Sequence, residues 1–209
     1  MTVSALRTLA AAALLAAGCG PKEDSAELVR IGALLDRGNA AGAEQRAQAY
    51  VKRHPAHALG WVILAKVLDQ RDKPDEAVAA NRRALELDPR AAQAHTNLGI
   101  IHRRRKEYDL AMESYRKAVE IDPGHAQAWS SMAVIELKRN RDAEALAFAR
   151  KAATLDPEDP VMAANLAVAL HYNGQVEERD QAFETARRLG YKKMDALQDI
   201  FDGKTTVRD

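Results

Sequence analysis

Ala84-Leu85-Glu86-Leu87-Asp88-Pro89, Ala118-Val119-Glu120-Ile121-Asp122-Pro123 and Ala152-Ala153-Thr154-Leu155-Asp156-Pro157 are near-copies of one phrase, and each ends 34 residues after the last. Pro55 stands one further period upstream. A fixed period of this length marks an array of one supersecondary unit, not a single domain wrapped around an active-site cleft. Such arrays present surface, because each unit buries its apolar face only against its neighbours.

Working outward from the phrase, a code of small and large residues recurs between the prolines. Trp61, Leu64-Ala65, Leu68, Ala77 and Ala84 form one copy. Leu98-Gly99, Ala111, Tyr115 and Ala118 form the next, and Trp129, Met132-Ala133, Ala145 and Ala152 the third. The spacings are those of one helical face and then a second. Ala65, Gly99 and Ala133 let paired helices approach, and the bulky residues fill the remaining space. Proline just past each helix stops its continuation. Alanine, the residue that costs a helix least, dominates, while aromatics are only 5%. The pattern predicts an all-α protein.

These copies resemble the tetratricopeptide repeat (TPR), a helix–turn–helix unit of 34 residues. The resemblance implies a right-handed α-solenoid of about five repeats over residues 25–193, closed by a capping helix at 194–202. His102 and Glu136 stand where the family usually has tyrosine, and read as substitutions near the helix surface. In the outer copies, Asp24-Ser25-Ala26-Glu27 offers a capping-box-like start. Leu28, Ile31 and Leu35 sit one residue late, which predicts a shortened first turn. The last copy puts Arg179 where a small residue is usual, and Gly190 reads as a helix C-terminal glycine. Met194, Leu197, Ile200 and Phe201 share one face of the cap, and residues 203–209 are expected to fray as a flexible tail.

The N-terminus follows different rules. Arg7 is the only charge in residues 1–18, and Leu9–Ala17 is an apolar run of nine. That is too short for a bilayer core, which needs roughly 20 residues. It suits the apolar region of a secretory signal. Ala16-Ala17-Gly18-Cys19 then resembles a bacterial lipoprotein signal, with leucine's usual place taken by Ala16. The resemblance implies removal of residues 1–18, lipid (palmitate) on Cys19 and a short tether over 19–24. A conventional signal cut nearby, or a thiol in a cytosolic helix, are the alternatives. A lone cysteine excludes an intramolecular disulfide. The aspartate that retains such proteins at the inner membrane is replaced by Gly20. The expected location is therefore the cell envelope, lipid-anchored and periplasm-facing, on the outer membrane where there are two.

Enzymatic signals are missing: there is no Gly-rich phosphate loop, HExxH, GxSxG or paired-cysteine site. No cofactor, metal or catalytic residue is expected. His54-Pro55-Ala56-His57 brings two imidazoles together, which is an incomplete metal site. Loss of Arg7 would leave basic and acidic residues balanced, so no field steers nucleic acid. Arg103-Arg104-Arg105-Lys106 is too short a run to argue for it. As the end of a first helix, the run complements the helix dipole.

In TPR arrays the first helices line a concave groove, so the resemblance locates a peptide- or protein-binding surface. It would contain Val62, Ile63 and Lys66, then Thr96, Asn97, Ile100, Arg103 and Arg104. Ser130, Val134 and Lys138, then Asn165, Val168 and Tyr172, continue it. Asn97 and Asn165 occupy the position where some relatives hold peptide backbone, and an amide offers both donor and acceptor. Structural filler is the alternative reading of both. Val62, Lys66, Thr96 and Ile100 do not reproduce the clamp that binds chaperone tails. Arg103, Arg104 and Lys138 favour an acidic partner. Lipobox plus repeats is similar to the small TPR lipoproteins of type IV pilus or secretin assembly. That likeness implies a noncatalytic scaffold binding an envelope protein. The other readings are an adaptor for cell-wall hydrolases, a protease or transporter components, and a cytosolic scaffold. The sequence leaves the oligomeric state open.

Overall fold

A computed structural model describes residues 22–208. The signal segment 1–18, Cys19 and Gly20 lie outside the described residues. Eleven helices and no strand occur among them. Five pairs follow in order: α1 (Lys22–Asp36) with α2 (Ala40–Arg53), α3 (Ala58–Gln70) with α4 (Pro74–Leu87), and α5 (Ala92–Arg104) with α6 (Tyr108–Ile121). α7 (Ala126–Lys138) pairs with α8 (Asp142–Leu155), α9 (Pro160–Tyr172) with α10 (Val176–Arg188), and α11 (Met194–Phe201) follows alone.

The boundaries follow from backbone needs that repeat with the sequence. Between the helices of each pair, one residue takes the left-handed conformation: Gly38, Asp72, Lys106, Asn140 and Gly174, with φ of 76°, 57°, 61°, 58° and 70°. The next N–H then donates to the carbonyl five residues back, from Asn39 to Leu34, Lys73 to Leu68, Glu107 to His102, Arg141 to Glu136 and Gln175 to Leu170. This is the Schellman closure of a helix C-terminus. All five turns are alike, so the first is not shortened. Leu28, Ile31 and Leu35 are buried in that unshifted register.

Between pairs, the Asp-Pro phrase works through the aspartate. Asp88 Oδ1 accepts from the Arg90 N–H at 2.9 Å, and Asp122 Oδ1 from the Gly124 N–H at 3.0 Å. Trp61 and Trp129 brace the preceding turn. Each indole N–H donates to the carbonyl of the proline six residues earlier, Pro55 at 2.9 Å and Pro123 at 3.0 Å.

The contacts divide the chain into two compact units, one ending at Ile101 and one beginning at His102, so the boundary falls inside α5. In the first unit α1 packs on α2 and α3, and α3 on α2 and α4. Its core joins Ile31, Tyr50, Leu64, Val67 and Leu68 over the small contacts Ala43, Ala65 and Ala77. In the second, α7 packs on α6 and α8, and α9 on α7, α8, α10 and α11. Leu170, Phe183 and Leu197 centre its core, with Met194, Ile200 and Phe201 packed against it as the cap.

Four expectations need correction. Asp24–Glu27 lies inside α1, which begins at Lys22, so residues 22–24 are helix and not tether. Glu27 does not cap; it pairs with Arg46 at 2.9 Å and Arg30 at 3.5 Å. Glu136 is not near the surface: it is 3% exposed, and Arg139 and Arg141 reach its carboxylate at 3.6 and 3.4 Å. Residues 203–208 are not a contact-free tail. Gly203, at φ 71°, reverses the chain after α11, and Thr206, Val207 and Arg208 lie against α9 and the start of α8.

Candidate binding faces

The first helices supply the candidate surface, and the structure sorts its residues by exposure. In the first unit Ile63, Lys66 and Ile100 are half-exposed, whereas Val62 and Thr96 are buried. In the second Arg103, Val134, Lys138, Asn165 and Tyr172 are half-exposed and Arg104 is exposed, whereas Ser130 and Val168 are buried. Val62, Thr96, Ser130 and Val168 therefore belong to the helix contacts and not to an open groove floor. Val62, Thr96 and Ser130 share the fifth position of their helices, and Val62 packs there against Ala84 and Ala94 of the next two helices.

The two asparagines serve that same contact. Asn97, 7% exposed, donates to the Val62 carbonyl at 3.5 Å and to Asn81 Oδ1 at 3.3 Å, and accepts from Gln93 at 3.0 Å. Asn165 donates to Ser130 Oγ at 2.7 Å. Each amide reaches back to a residue 35 positions earlier, tying one first helix to the last. Asn97 thus has both amide protons spent inside the array, as the filler reading has it. Its fully buried neighbour Asn81 donates to the Ala77 carbonyl at 3.0 Å. Asn81 stands one period before Tyr115, and the sequence reading did not single it out.

Charge on the first unit is set by burial and turn chemistry. Burial pulls the Lys66 ammonium below its ordinary range, with Asp36 opposing. Glu44 is buried and receives Lys73 Nζ at 2.5 Å and Arg71 Nε at 3.0 Å. The Lys73 hydrogen bond, with Arg71 adding to it against the cost of burial, holds this carboxyl below the usual range. Arg71 and Arg139 occupy the same place in their turns, as do Lys73 and Arg141, so in both units the intra-repeat turn covers a buried carboxylate. Sequence reading missed both acids' burial.

The histidine pair does not converge on an open site. His54 stacks on Tyr50 with ring centroids 4.6 Å apart, and His57 Nδ1 lies 2.7 Å from the Tyr50 hydroxyl. Among the described residues no group of three or more His, Cys, Asp or Glu side chains is placed to hold a metal ion, and no helix is long and apolar enough to cross a membrane.

The second unit carries a feature unread in the sequence. Tyr172 Oη meets Thr206 Oγ1 at 2.9 Å and accepts from the Val207 N–H at 3.3 Å. Arg208 places its guanidinium 4.2 Å from the Tyr172 ring centre, and one Nη donates to both Asp142 oxygens at 2.6 and 2.7 Å. Nearby, Phe201 sits 5.6 Å from Phe183 and 5.0 Å from His171, with Arg179 at 5.1 Å from its ring. The unusual Arg179 therefore covers the cap.

Paired helices of near-equal length, joined by one repeated turn and offering first-helix faces, define a helical repeat protein. The chain belongs to the tetratricopeptide-repeat family, whose models match residues 28–89, 64–126 and 102–167. Among solved structures it is similar to PilF of Pseudomonas aeruginosa, 21% identical with a TM-score of 0.71, over 87% of this chain and 85% of that one. The TPR protein TTC0263 of Thermus thermophilus is 17% identical with a TM-score of 0.71, over 86% of this chain and 97% of that one. A structure of Naa15/Naa10 bound to HypK is 20% identical with a TM-score of 0.57, over 80% of this chain and 25% of that one. At these identities the likeness is one of fold. No curated protein sequence matches the chain.

Proposed function

We propose that this protein is a noncatalytic, lipid-anchored scaffold that binds a protein partner in the cell envelope and helps assemble or position a complex such as a pilus or secretin. The half-exposed apolar positions on the first helices carry the reading. Ile63 lies one turn from Lys66 and Val134 one turn from Lys138, and Ile100 in the first unit and the exposed Val161 in the second are also on first helices. Apolar area buried there would supply affinity at about 25 cal/mol per Å² before association costs. The cations would orient an acidic partner and tune its rate. Support for a protein partner comes from the family and from the HypK-bound neighbour; support for a pilus role comes from the fold shared with PilF. Anchoring rests on Gly18-Cys19, and Gly20 favours the outer membrane.

Affinity capture from envelope extracts tests this, using Ile100→Glu for the first unit and Val134→Glu for the second. Each substitution should abolish or sharply weaken capture of an envelope-assembly component while leaving helical content unchanged. Full capture by both folded variants would reject these faces. Capture of a hydrolase, protease or transporter component would replace the assembly role.

A further inference from the structure

The core of the second unit is closed before the chain ends. Leu197 is 3% exposed, and Phe201 lies against Phe183, so α11 completes the cap. The following residues do something else, because three consecutive positions each engage a group that the array holds ready. Thr206 contributes a hydroxyl to Tyr172 and folds it back onto the Arg208 N–H at 3.1 Å. Val207 gives its N–H to Tyr172 and its side chain to the edge of the core. Arg208 gives its guanidinium to the Tyr172 face and to Asp142.

The receiving groups sit on regular elements. Tyr172 is in the last turn of α9 and Asp142 in the first turn of α8, and Asn173 Nδ2 joins the two by donating to the Asp142 carbonyl at 2.8 Å. Carboxylate plus aromatic face is the chemistry that recognises a guanidinium, by charge-assisted hydrogen bonds and by cation–π attraction. The occupant, by contrast, is a short non-helical strap. The Arg208 and Asp142 side chains remain 31% and 29% exposed, so water competes for the contact. Such a contact is exchangeable, and the strap holds its place through the high effective concentration that covalent attachment confers.

We propose that Thr206–Val207–Arg208 is a tethered occupant of a peptide subsite formed by Asp142, Tyr172 and Asn173. When the strap lifts, the subsite accepts an extended segment of a protein partner in which a hydroxyl residue and an apolar residue precede an arginine. The site lies on the turn edge of the last two repeats and goes beyond the first-helix faces discussed above.

The test uses the full chain and a fluorescent Lys-Thr-Thr-Val-Arg peptide, read by anisotropy. Arg208→Ala frees the subsite and should bind the probe roughly tenfold more tightly than the wild type does. Adding Asp142→Asn should remove that gain, and a probe ending in lysine should bind more weakly. Arg208→Lys, which keeps the charge but loses the planar cation over the Tyr172 ring, should fall between the wild type and Arg208→Ala. Equal binding by wild type and Arg208→Ala, or none by either, overturns the proposal. So does a marked loss of melting temperature in Arg208→Ala without gain of probe, which would make the strap purely structural. Sedimentation of the wild type as a dimer that Arg208→Ala dissociates would make the occupant a second copy's tail, and also overturns it. Ile100→Glu and Val134→Glu should leave probe binding unchanged, which separates this outcome from that of the first-helix faces.

Discussion

Gly60→Ala adds one methyl group where the α3 backbone comes close to the Tyr50 ring. A Cβ at position 60 would lie 2.8 Å from both Cδ1 and Cε1 of Tyr50 and 3.5 Å from Val51 Cγ1. Carbon atoms rest about 3.5–4.0 Å apart, so the ring must yield by roughly 0.7–1.2 Å. It has little room: Tyr50 is 1% exposed, its hydroxyl is held 2.7 Å from His57 Nδ1, and its face stacks on His54. Overpacking of this kind costs about 1–3 kcal/mol. Alanine's helical advantage over glycine, up to about 1 kcal/mol and less in a first turn, offsets part of it. The net loss should be about 1–2 kcal/mol, or a fall in Tm of roughly 2–8 °C for a chain of this size. Thermal unfolding followed by far-UV circular dichroism measures it. In a Tyr50→Leu background the same substitution should be neutral or mildly stabilising, so a double-mutant cycle should return a coupling of about 1 kcal/mol or more. A Gly60→Ala variant that melts at or above wild type, or that costs the same with leucine at position 50, would refute the reasoning.

Gly99→Leu, at a buried position of α5, should cost roughly 1–3 kcal/mol or more by overpacking, and an unchanged melting temperature would show that the assigned register is wrong. Glu44→Gln should lower stability at neutral pH by about 1–3 kcal/mol, because it weakens charge-assisted hydrogen bonds to a buried group. The folded carboxyl is depressed below the ordinary 4.5, so its contribution is present above that value and is lost as pH falls through the folded value. Denaturant unfolding across that range should therefore show a shallower pH dependence for Glu44→Gln than for wild type. Metabolic labelling with palmitate should mark wild type and spare Cys19→Ala; equal labelling of both, or of neither, rejects lipid attachment at Cys19.

The inter-repeat turns were legible because they need particular residues. Proline and aspartate leave a written period at 89, 123 and 157. The intra-repeat turns obey the same period yet were not legible. Their left-handed position is filled in turn by glycine, aspartate, lysine, asparagine and glycine, and the backbone bond that closes them leaves no residue signature. The candidate faces were partly legible. Helical spacing selects the first-helix side, but it does not separate Val62, which Ala84 and Ala94 of the following helices cover, from its half-exposed neighbour Ile63. Buried Glu44 and Glu136 escaped because a carboxylate reads as surface until its cations are placed; for Glu44 they come 27 and 29 residues later. The strap escaped for a related reason. Polar terminal residues read as fraying, and Asp142 is 66 positions from Arg208.

The uniform turns bear on how such a gene changes over time. The first four blocks each leave through a residue of similar backbone conformation, His54, Asp88, Asp122 or Asp156, so in-frame duplication or loss of one of them rejoins the chain without a junction to remodel. The amphipathic α11 and the strap behind it occur once, after the last block. Recombination upstream of Asp142 can therefore alter the array's length while α11 and the strap keep their contacts with Tyr172 and Asp142.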